Sequence, residues 1–119
     1  MNTMQYQPSR HIMDFHLAGF AYCDGLDVIE ELKLGQAVQL VREEGNPHDP
    51  DAVAVLYKNT KIGYVPAQYN GLFSTLLYYG HGDILEARIQ MVNLETHPEP
   101  ERQFRVVVKV TDARGDVRA

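Results

Sequence analysis

The most informative segment of this chain reads Glu43-Glu44-Gly45-Asn46-Pro47-His48-Asp49-Pro50-Asp51-Ala52-Val53-Ala54-Val55. Turn-forming and acidic residues fill its first part, and apolar runs flank it, from Val38 to Val41 and from Ala52 to Tyr57. Each proline disfavours the α region for the residue before it, so a helix cannot cross the segment. We therefore predict an ordered loop between two strands. A loop held at both ends by a sheet displays its polar side chains at fixed positions, where binding residues are often found.

The length and composition of the chain indicate one globular domain. The chain has 119 residues, and 45% of them are hydrophobic, which is enough for one core and too little for two. We expect a single domain with its core at about residues 11–112 and flexible tails at 1–10 and 113–119. The net charge of −5 disfavours broad binding to duplex DNA, which needs a basic face. The same net charge is compatible with a site that binds a few nucleotides through its geometry.

The N-terminus and the single cysteine favour a cytoplasmic protein. Cys23 has no partner for a disulfide within the chain, which is typical of a reducing compartment. The first residues lack the cationic start and the apolar stretch of a signal peptide. No apolar run approaches the ~20 residues that span a membrane, so we expect no membrane association.

Alternating apolar residues predict about six strands. They run from Ile12 to Cys23 with a bend at Gly19, from Gln36 to Glu43, from Ala52 to Tyr57, from Lys61 to Val65, from Ile84 to Leu94, and from Phe104 to Val110. The segment from Val28 to Leu32 is predicted to be a turn or a short 3₁₀ piece. The segment from Thr96 to Arg102 is predicted to be a polar turn.

One firm helix is predicted between strands four and five. Apolar residues recur at helical spacing after Pro66, and Gly80 supplies the expected end. A small sheet avoids exposed edges best by curling. The predicted fold is therefore mainly β: a small, partly open β-barrel with the helix plugging one end.

Patterns for catalysis and for cofactor or metal binding are weak. His48 and Asp49 are adjacent, so on an extended chain their side chains point apart and suit one ion poorly. The prolines beside them remove the ligand spacing of a calcium loop. Gly80-His81-Gly82 follows a helix instead of opening one, which is the wrong order for a phosphate-binding loop. We expect no enzymatic activity, no cofactor and no metal.

Aromatic side chains around the loop are candidates for stacking on unpaired bases. Tyr22, His48 and Tyr64 all fall near it in the predicted barrel, and each stacked base is worth ~1–3 kcal/mol. A simpler interpretation stays open, because tyrosines on small sheets often cover the core and keep their hydroxyl in water. Three tyrosines of the predicted helix are interpreted as packing or surface residues: Tyr69, Tyr78 and Tyr79.

Four blocks of the sequence, in their order and spacing, resemble the HIRAN domain family. They cover most of the chain, roughly from Phe15 to Leu94, and the central block is the most specific because Arg-Glu precedes Asn-Pro-aromatic-Asp and a small-apolar strand. The blocks are Leu17 to Tyr22, Gly35 to Glu43, Asn46 to Val55 and Lys61 to Pro66. The resemblance implies a modified OB-like β-barrel, in agreement with the strand count.

The resemblance also implies a function in DNA repair or replication-fork processing. It implies a module that recognises the 3′-hydroxyl end of single-stranded DNA, beside a helicase or nuclease acting in trans. Tyr22 and His48 stand where two aromatic residues stack on the terminal bases. Asp49 stands where a carboxylate accepts a hydrogen bond from the 3′-hydroxyl. An ionised carboxylate only accepts hydrogen bonds, so it would repel a 3′-phosphate.

The remaining residues of the predicted site are divided between binding and building the loop. Arg42, Lys61 and Tyr64 complete the predicted nucleic-acid-binding set. Asn46 is expected to hold the turn through an Asx-type hydrogen bond to the backbone. Three residues in all are predicted to build the loop: Asn46, Pro47 and Asp51.

The chain departs from the DNA-binding member of the family at basic positions. Ala21 stands where that member carries arginine, and Pro66 and Ala67 stand where it carries lysines. Together with the acidic net charge, these departures leave a second interpretation open. The chain would then be a protein-interaction or regulatory β-barrel that does not bind nucleic acid.

Overall fold

The computed structural model describes residues 9–92 and 104–111. The predicted tails, apart from residues 9 and 10, and the predicted turn from Thr96 to Arg102 lie outside these residues. Within the described ranges, no helix has the length and apolar character needed to cross a membrane.

Strands dominate the part of the chain that the structure describes. There are six of them: β1 (Ser9–His16), β2 (Ala37–Arg42), β3 (Val53–Tyr57), β4 (Thr60–Tyr64), β5 (Leu85–Val92) and β6 (Phe104–Thr111). One α-helix, α1 (Asn70–Tyr78), lies between β4 and β5. Two short 3₁₀ helices, Phe20–Tyr22 and Gly25–Glu31, lie between β1 and β2, and a third, Gly82–Ile84, precedes β5.

All six strands form one antiparallel sheet in the order β1-β6-β5-β2-β3-β4. The sheet is not closed. Its two edges approach at a bridge between Ala18, which follows β1, and Tyr64 at the end of β4. The amide of each residue donates to the carbonyl of the other, over 2.9 Å and 2.8 Å. The prediction of a mainly β, partly open barrel is therefore confirmed.

The predicted strand from Ile12 to Cys23 is wrong in its second half. β1 ends at His16, and the chain turns away at Gly19, whose φ of 70° is a left-handed conformation that suits glycine. The ring of Phe20 then packs on Phe104, with 4.9 Å between ring centroids. Apolar alternation reflects burial, and buried residues continue past the last paired residue, so the pattern overestimates the length of the strand.

β4 can accept the segment after β1 because Gly63 has no side chain. A Cβ atom at this position would lie 2.6 Å from Cγ of Leu17 and 2.7 Å from the carbonyl oxygen of Ala18. The preceding β3–β4 hairpin has Lys58 and Asn59 at positive φ, the conformation of a two-residue type I′ turn. These two features place the end of β4 beside the chain that leads to Tyr22.

The predicted start of the helix at Pro66 is also wrong. Residues 66–69 form a turn, in which the amide of Tyr69 donates to the carbonyl of Pro66 over 2.8 Å, and α1 begins at Asn70. A proline fits the start of a turn as well as the first turn of a helix, so the sequence alone does not separate the two. The end is as predicted, since Gly80 has a φ of 84° and the amide of His81 donates back to Leu76 over 2.8 Å.

The sheet and α1 share one core. Phe73 of α1 is fully buried against Phe15 of β1, with 6.4 Å between ring centroids. The period-two pattern of β6 places Phe104, Val106 and Val108 in the same core. This packing holds α1 beside the loop that joins β2 to β3.

Candidate nucleic-acid interface

The loop between β2 and β3 is held by the side chain of Asn46. Its Oδ1 accepts hydrogen bonds from the backbone amides of His48 and Asp49, over 2.8 Å and 3.0 Å. Its Nδ2 donates to Oε1 of Glu43 over 2.8 Å. This is the Asx-type geometry expected of an asparagine before a proline turn. The backbone directions at His48 and Asp49 are therefore fixed before any ligand arrives.

Asp49 fastens the loop to α1. Its Oδ1 accepts from the backbone amide of Asp51 over 2.9 Å, and its Oδ2 accepts from Nδ2 of Asn70 over 2.9 Å. Asn70 is only 4% exposed, so its side of this bond is shielded from water. An ionised carboxylate offers about four acceptor positions. Asp49 is half-buried and uses two of them in these bonds, which leaves capacity for a ligand donor.

A groove of about 290 Å³ lies between the loop, the end of β4 and the start of α1. His48, Asp49 and Asn70 contribute polar groups to its lining. Its apolar surface comes from five residues: Ala18, Ala52, Tyr64, Val65 and Ala67. The volume is at the lower end of the ~300–1,000 Å³ found for small-molecule sites. A groove of this size suits one terminal group of a larger ligand.

Tyr64 is fixed in the groove wall by a charged pair behind it. Its hydroxyl donates to Oε1 of Glu43 over 2.6 Å and accepts from Nζ of Lys61 over 2.8 Å. Lys61 also donates to Oε2 of Glu43 over 2.7 Å. The hydrogen bonds from Lys61 and Tyr64 lower the pKa of Glu43 from 4.5 to about 2, and the bond to Glu43 raises the pKa of Lys61. Burial, followed by the bond to Glu43, raises the pKa of Tyr64.

We expect the free energy of unfolding to fall less steeply at low pH in Glu43→Gln than in the wild type. Between pH 4.5 and about 2 the unfolded chain protonates Glu43 while the folded protein does not. The unfolded state therefore binds more protons, and the free energy of unfolding falls as the pH falls through this window. Urea unfolding followed by circular dichroism between about pH 5 and pH 2 measures this dependence.

The same titration includes an internal comparison. Lys61→Met removes the main donor to Glu43 and should also flatten the pH dependence. Some dependence should remain, because hydrogen bonds from His11 and Arg105 lower the pKa of Asp14. An unchanged pH dependence in Glu43→Gln would contradict the role assigned to this pair.

The structure brings only part of the predicted site together at the groove. His48, Asp49 and Tyr64 line the groove. Lys61 does not line it but donates to the hydroxyl of Tyr64. Tyr22 does not line the groove. It is 89% exposed and lies in the 3₁₀ helix Phe20–Tyr22. Just after this helix, the amide of Asp24 donates to the backbone carbonyl of Lys61 over 2.9 Å. Tyr22 therefore does not cover the core, so the simpler interpretation of tyrosines on small sheets does not apply to it.

Arg42 also lies outside the groove lining. Its Nε donates to Oγ of Ser74 over 3.2 Å, and its guanidinium lies over the ring of Tyr78. Asp51 accepts from the same Ser74 hydroxyl over 3.1 Å. Arg42 and Asp51 therefore both connect the loop to α1.

Two residues of the site, Asn70 and Glu43, were not predicted from the sequence. Asn70 carried a usable signal, because it precedes Phe73, Ser74 and Leu77 at the spacing of a core-facing helix stripe. A polar residue at such a position needs a buried partner. Glu43 carried no such signal, because its partner Lys61 is 18 residues further along the chain.

Comparisons with known proteins find a matching family model and similar solved structures. A family model described as HIRAN domain matches residues 12–111. A crystal structure of a protein from Lactobacillus plantarum is similar, with 22% identity, a TM-score of 0.70 and coverage of 86% of this chain and 94% of that chain. The crystal structure of the HIRAN domain of human HLTF has 15% identity, a TM-score of 0.57 and coverage of 88% and 82%. No curated protein matches the chain at a significant level.

Proposed function

Because this chain belongs to the HIRAN domain family, we propose that it is a DNA-binding module that holds the 3′-hydroxyl end of single-stranded DNA. One observation carries the proposal: the loop and α1 place the carboxylate of Asp49, already oriented by Asn70, in the wall of a small groove beside His48. The module supplies binding and no catalysis. In cytoplasmic repair or fork processing, a helicase or nuclease in trans would act on the captured strand.

Each residue of the terminal contact has a separate role in this proposal. Asp49 accepts a hydrogen bond from the 3′-hydroxyl at one of its remaining acceptor positions. His48 is exposed on the same wall and stacks on the terminal base. Tyr22 has an exposed ring and stacks on the neighbouring base. Asn46 and Asn70 bind no DNA in this proposal; they hold the loop and the carboxylate in place.

The charges around the groove favour a grip based on shape and hydrogen bonding. Lys61 is paired with Glu43, and Arg42 is paired with Glu44. Paired cations release fewer counterions when phosphates approach, so affinity should depend only weakly on salt. Stacking and recognition of the hydroxyl then supply most of the binding free energy.

The same ion pairs favour a second candidate function. A module in which Arg42 and Lys61 are already paired with carboxylates is also suited to contact protein instead of nucleic acid. In that case the groove would hold a side chain or chain end of a partner protein. DNA binding and its dependence on the terminal group distinguish the two candidates.

A titration with two matched oligonucleotides tests the proposal. Single strands of the same sequence carry a 5′ fluorophore and end in a 3′-hydroxyl or a 3′-phosphate, and anisotropy measures binding at ~0.1 M salt. We expect tighter binding of the 3′-hydroxyl strand. Equal affinity for both ends, or no binding of either, would reject end recognition and favour the second candidate.

A further inference from the structure

An exposed aromatic pair outside the groove is formed by Tyr78, the last residue of α1, and Tyr79, which follows it. Tyr78 is 63% exposed and Tyr79 is 68% exposed, and their rings meet edge to face with 4.9 Å between centroids. Exposed tyrosines contribute little to the core, so folding alone does not explain two adjacent ones.

The guanidinium of Arg42 packs on one ring of this aromatic pair. Its guanidinium carbon lies 5.1 Å from the centroid of the Tyr78 ring, within the range of a cation–π contact. Its nitrogen atoms donate to Ser74 and to the carbonyl oxygen of Pro50, over 3.2 Å and 3.4 Å, and also contact Glu44. A stacked arginine held by the loop and the helix places a guanidinium, paired with Glu44, beside two exposed aromatic rings.

This surface is connected to the groove along one face of α1. Asn70, Ser74 and Tyr78 follow each other at intervals of four residues, so they share a face. Asn70 lines the groove and binds Asp49, and Ser74 binds Asp51 and Arg42. Eight residues of α-helix separate Asn70 from Tyr78 by about 12 Å along the axis.

We propose that Arg42, Tyr78 and Tyr79 form a second contact site for the same DNA strand, upstream of the 3′ end held in the groove. The proposal rests on the proposed function. About four stacked nucleotides span 12 Å at ~3.4 Å each, and fewer are needed in an extended strand. The rings offer faces or edges to bases, and the guanidinium offers its charge to a phosphate. Glu44 competes with that phosphate for Arg42.

The test compares a short with a long 3′-hydroxyl strand. One has about 2 nucleotides, whose single step from one nucleotide to the next is shorter than the ~12 Å between Asn70 and Tyr78 even in an extended strand. The other has about 12, within the site sizes of OB-type folds. We expect Tyr78→Ala to weaken binding of the long strand at least about fivefold and to leave the short strand unchanged. The matched control is Leu72→Ala, an exposed α1 residue away from this face, which should change neither.

A second variant guards against a loss caused by misfolding. Glu44→Gln removes the carboxylate that competes for Arg42, so it should strengthen binding of the long strand and leave the short one unchanged. If the wild type binds the short strand and gains nothing from added length, the second site is rejected while the proposed function stands. If Tyr78→Ala weakens both strands equally, the second site is also rejected. Absence of binding to either strand rejects both proposals.

Discussion

Asp49→Asn is expected to abolish the preference for a 3′-hydroxyl end. The substitution replaces an acceptor-only carboxylate with an amide that can also donate. A hydrogen bond to a charged group is worth ~1.5–3 kcal/mol, so affinity for the 3′-hydroxyl strand should fall by about 10- to 150-fold. Affinity for the 3′-phosphate strand should rise, because the repulsion between the carboxylate and the phosphate is gone. Anisotropy titration with the two strands measures both changes.

Affinity is expected to fall for the 3′-hydroxyl strand and to rise for the 3′-phosphate strand. These opposite changes distinguish a loss of end recognition from damage to the loop. Asp49 also accepts from the amide of Asp51 and from Asn70, and the asparagine oxygen at position 49 can keep one of these bonds. A disturbed loop would weaken both strands together. Asp51→Asn is the matched control, since Asp51 lies in the same loop and binds Ser74. That variant should keep the end preference, and an Asp49→Asn protein that keeps it too would remove Asp49 from the site.

Tyr22→Ala is expected to weaken DNA binding without changing the stability of the fold. The ring is 89% exposed, so its loss should alter the free energy of unfolding by no more than ~0.5 kcal/mol. Loss of one stacked base costs ~1–3 kcal/mol, or about 5- to 150-fold in affinity. Anisotropy titration and urea unfolding of the same preparation measure the two quantities.

Two comparison variants make this test specific to stacking. Tyr22→Phe keeps the ring and should retain most of the affinity. Leu26→Ala removes another exposed side chain from the adjacent 3₁₀ helix and should have no effect on binding. If Tyr22→Ala binds as tightly as the wild type, the base next to the terminal one does not stack on Tyr22.

The elements that were predicted correctly depend on local signals. β3 and β4 follow from two short apolar runs close together in the chain, and Gly80 ends α1 through a bond to the preceding turn. The end of β1 and the start of α1 were wrong because local signals fit two outcomes there. Gly19 suits a bulge within a strand as well as a turn out of it, and Pro66 suits a turn as well as a helix. Contacts across the sheet decide between them.

The hydrogen bonds of the site also divide into local ones, which the sequence predicts, and distant ones, which it does not. Asn46 bonds to residues two and three positions later, so its role follows from the order of residues in the loop. The bond from Asn70 to Asp49 joins residues 21 apart, and the pairing of Lys61 with Glu43 joins residues 18 apart. The sequence therefore presents Lys61 as a free cation for DNA, whereas the fold places a carboxylate on it. The arrangement of β2, β3 and β4 brings Lys61 to Glu43, and the packing of α1 against the sheet brings Asn70 to Asp49.

The location of the strand end is the central claim, and amide chemical-shift mapping tests it most directly. A short 3′-hydroxyl single strand is titrated into ¹⁵N-labelled protein. The largest changes are expected at the backbone amides of His48, Asp49 and Tyr64 and at the side-chain amide of Asn70, the residues that surround the groove. The amides of β1 should change least. Changes concentrated on β1 and β6, or no changes at saturating DNA, would contradict binding of a 3′ end in the groove.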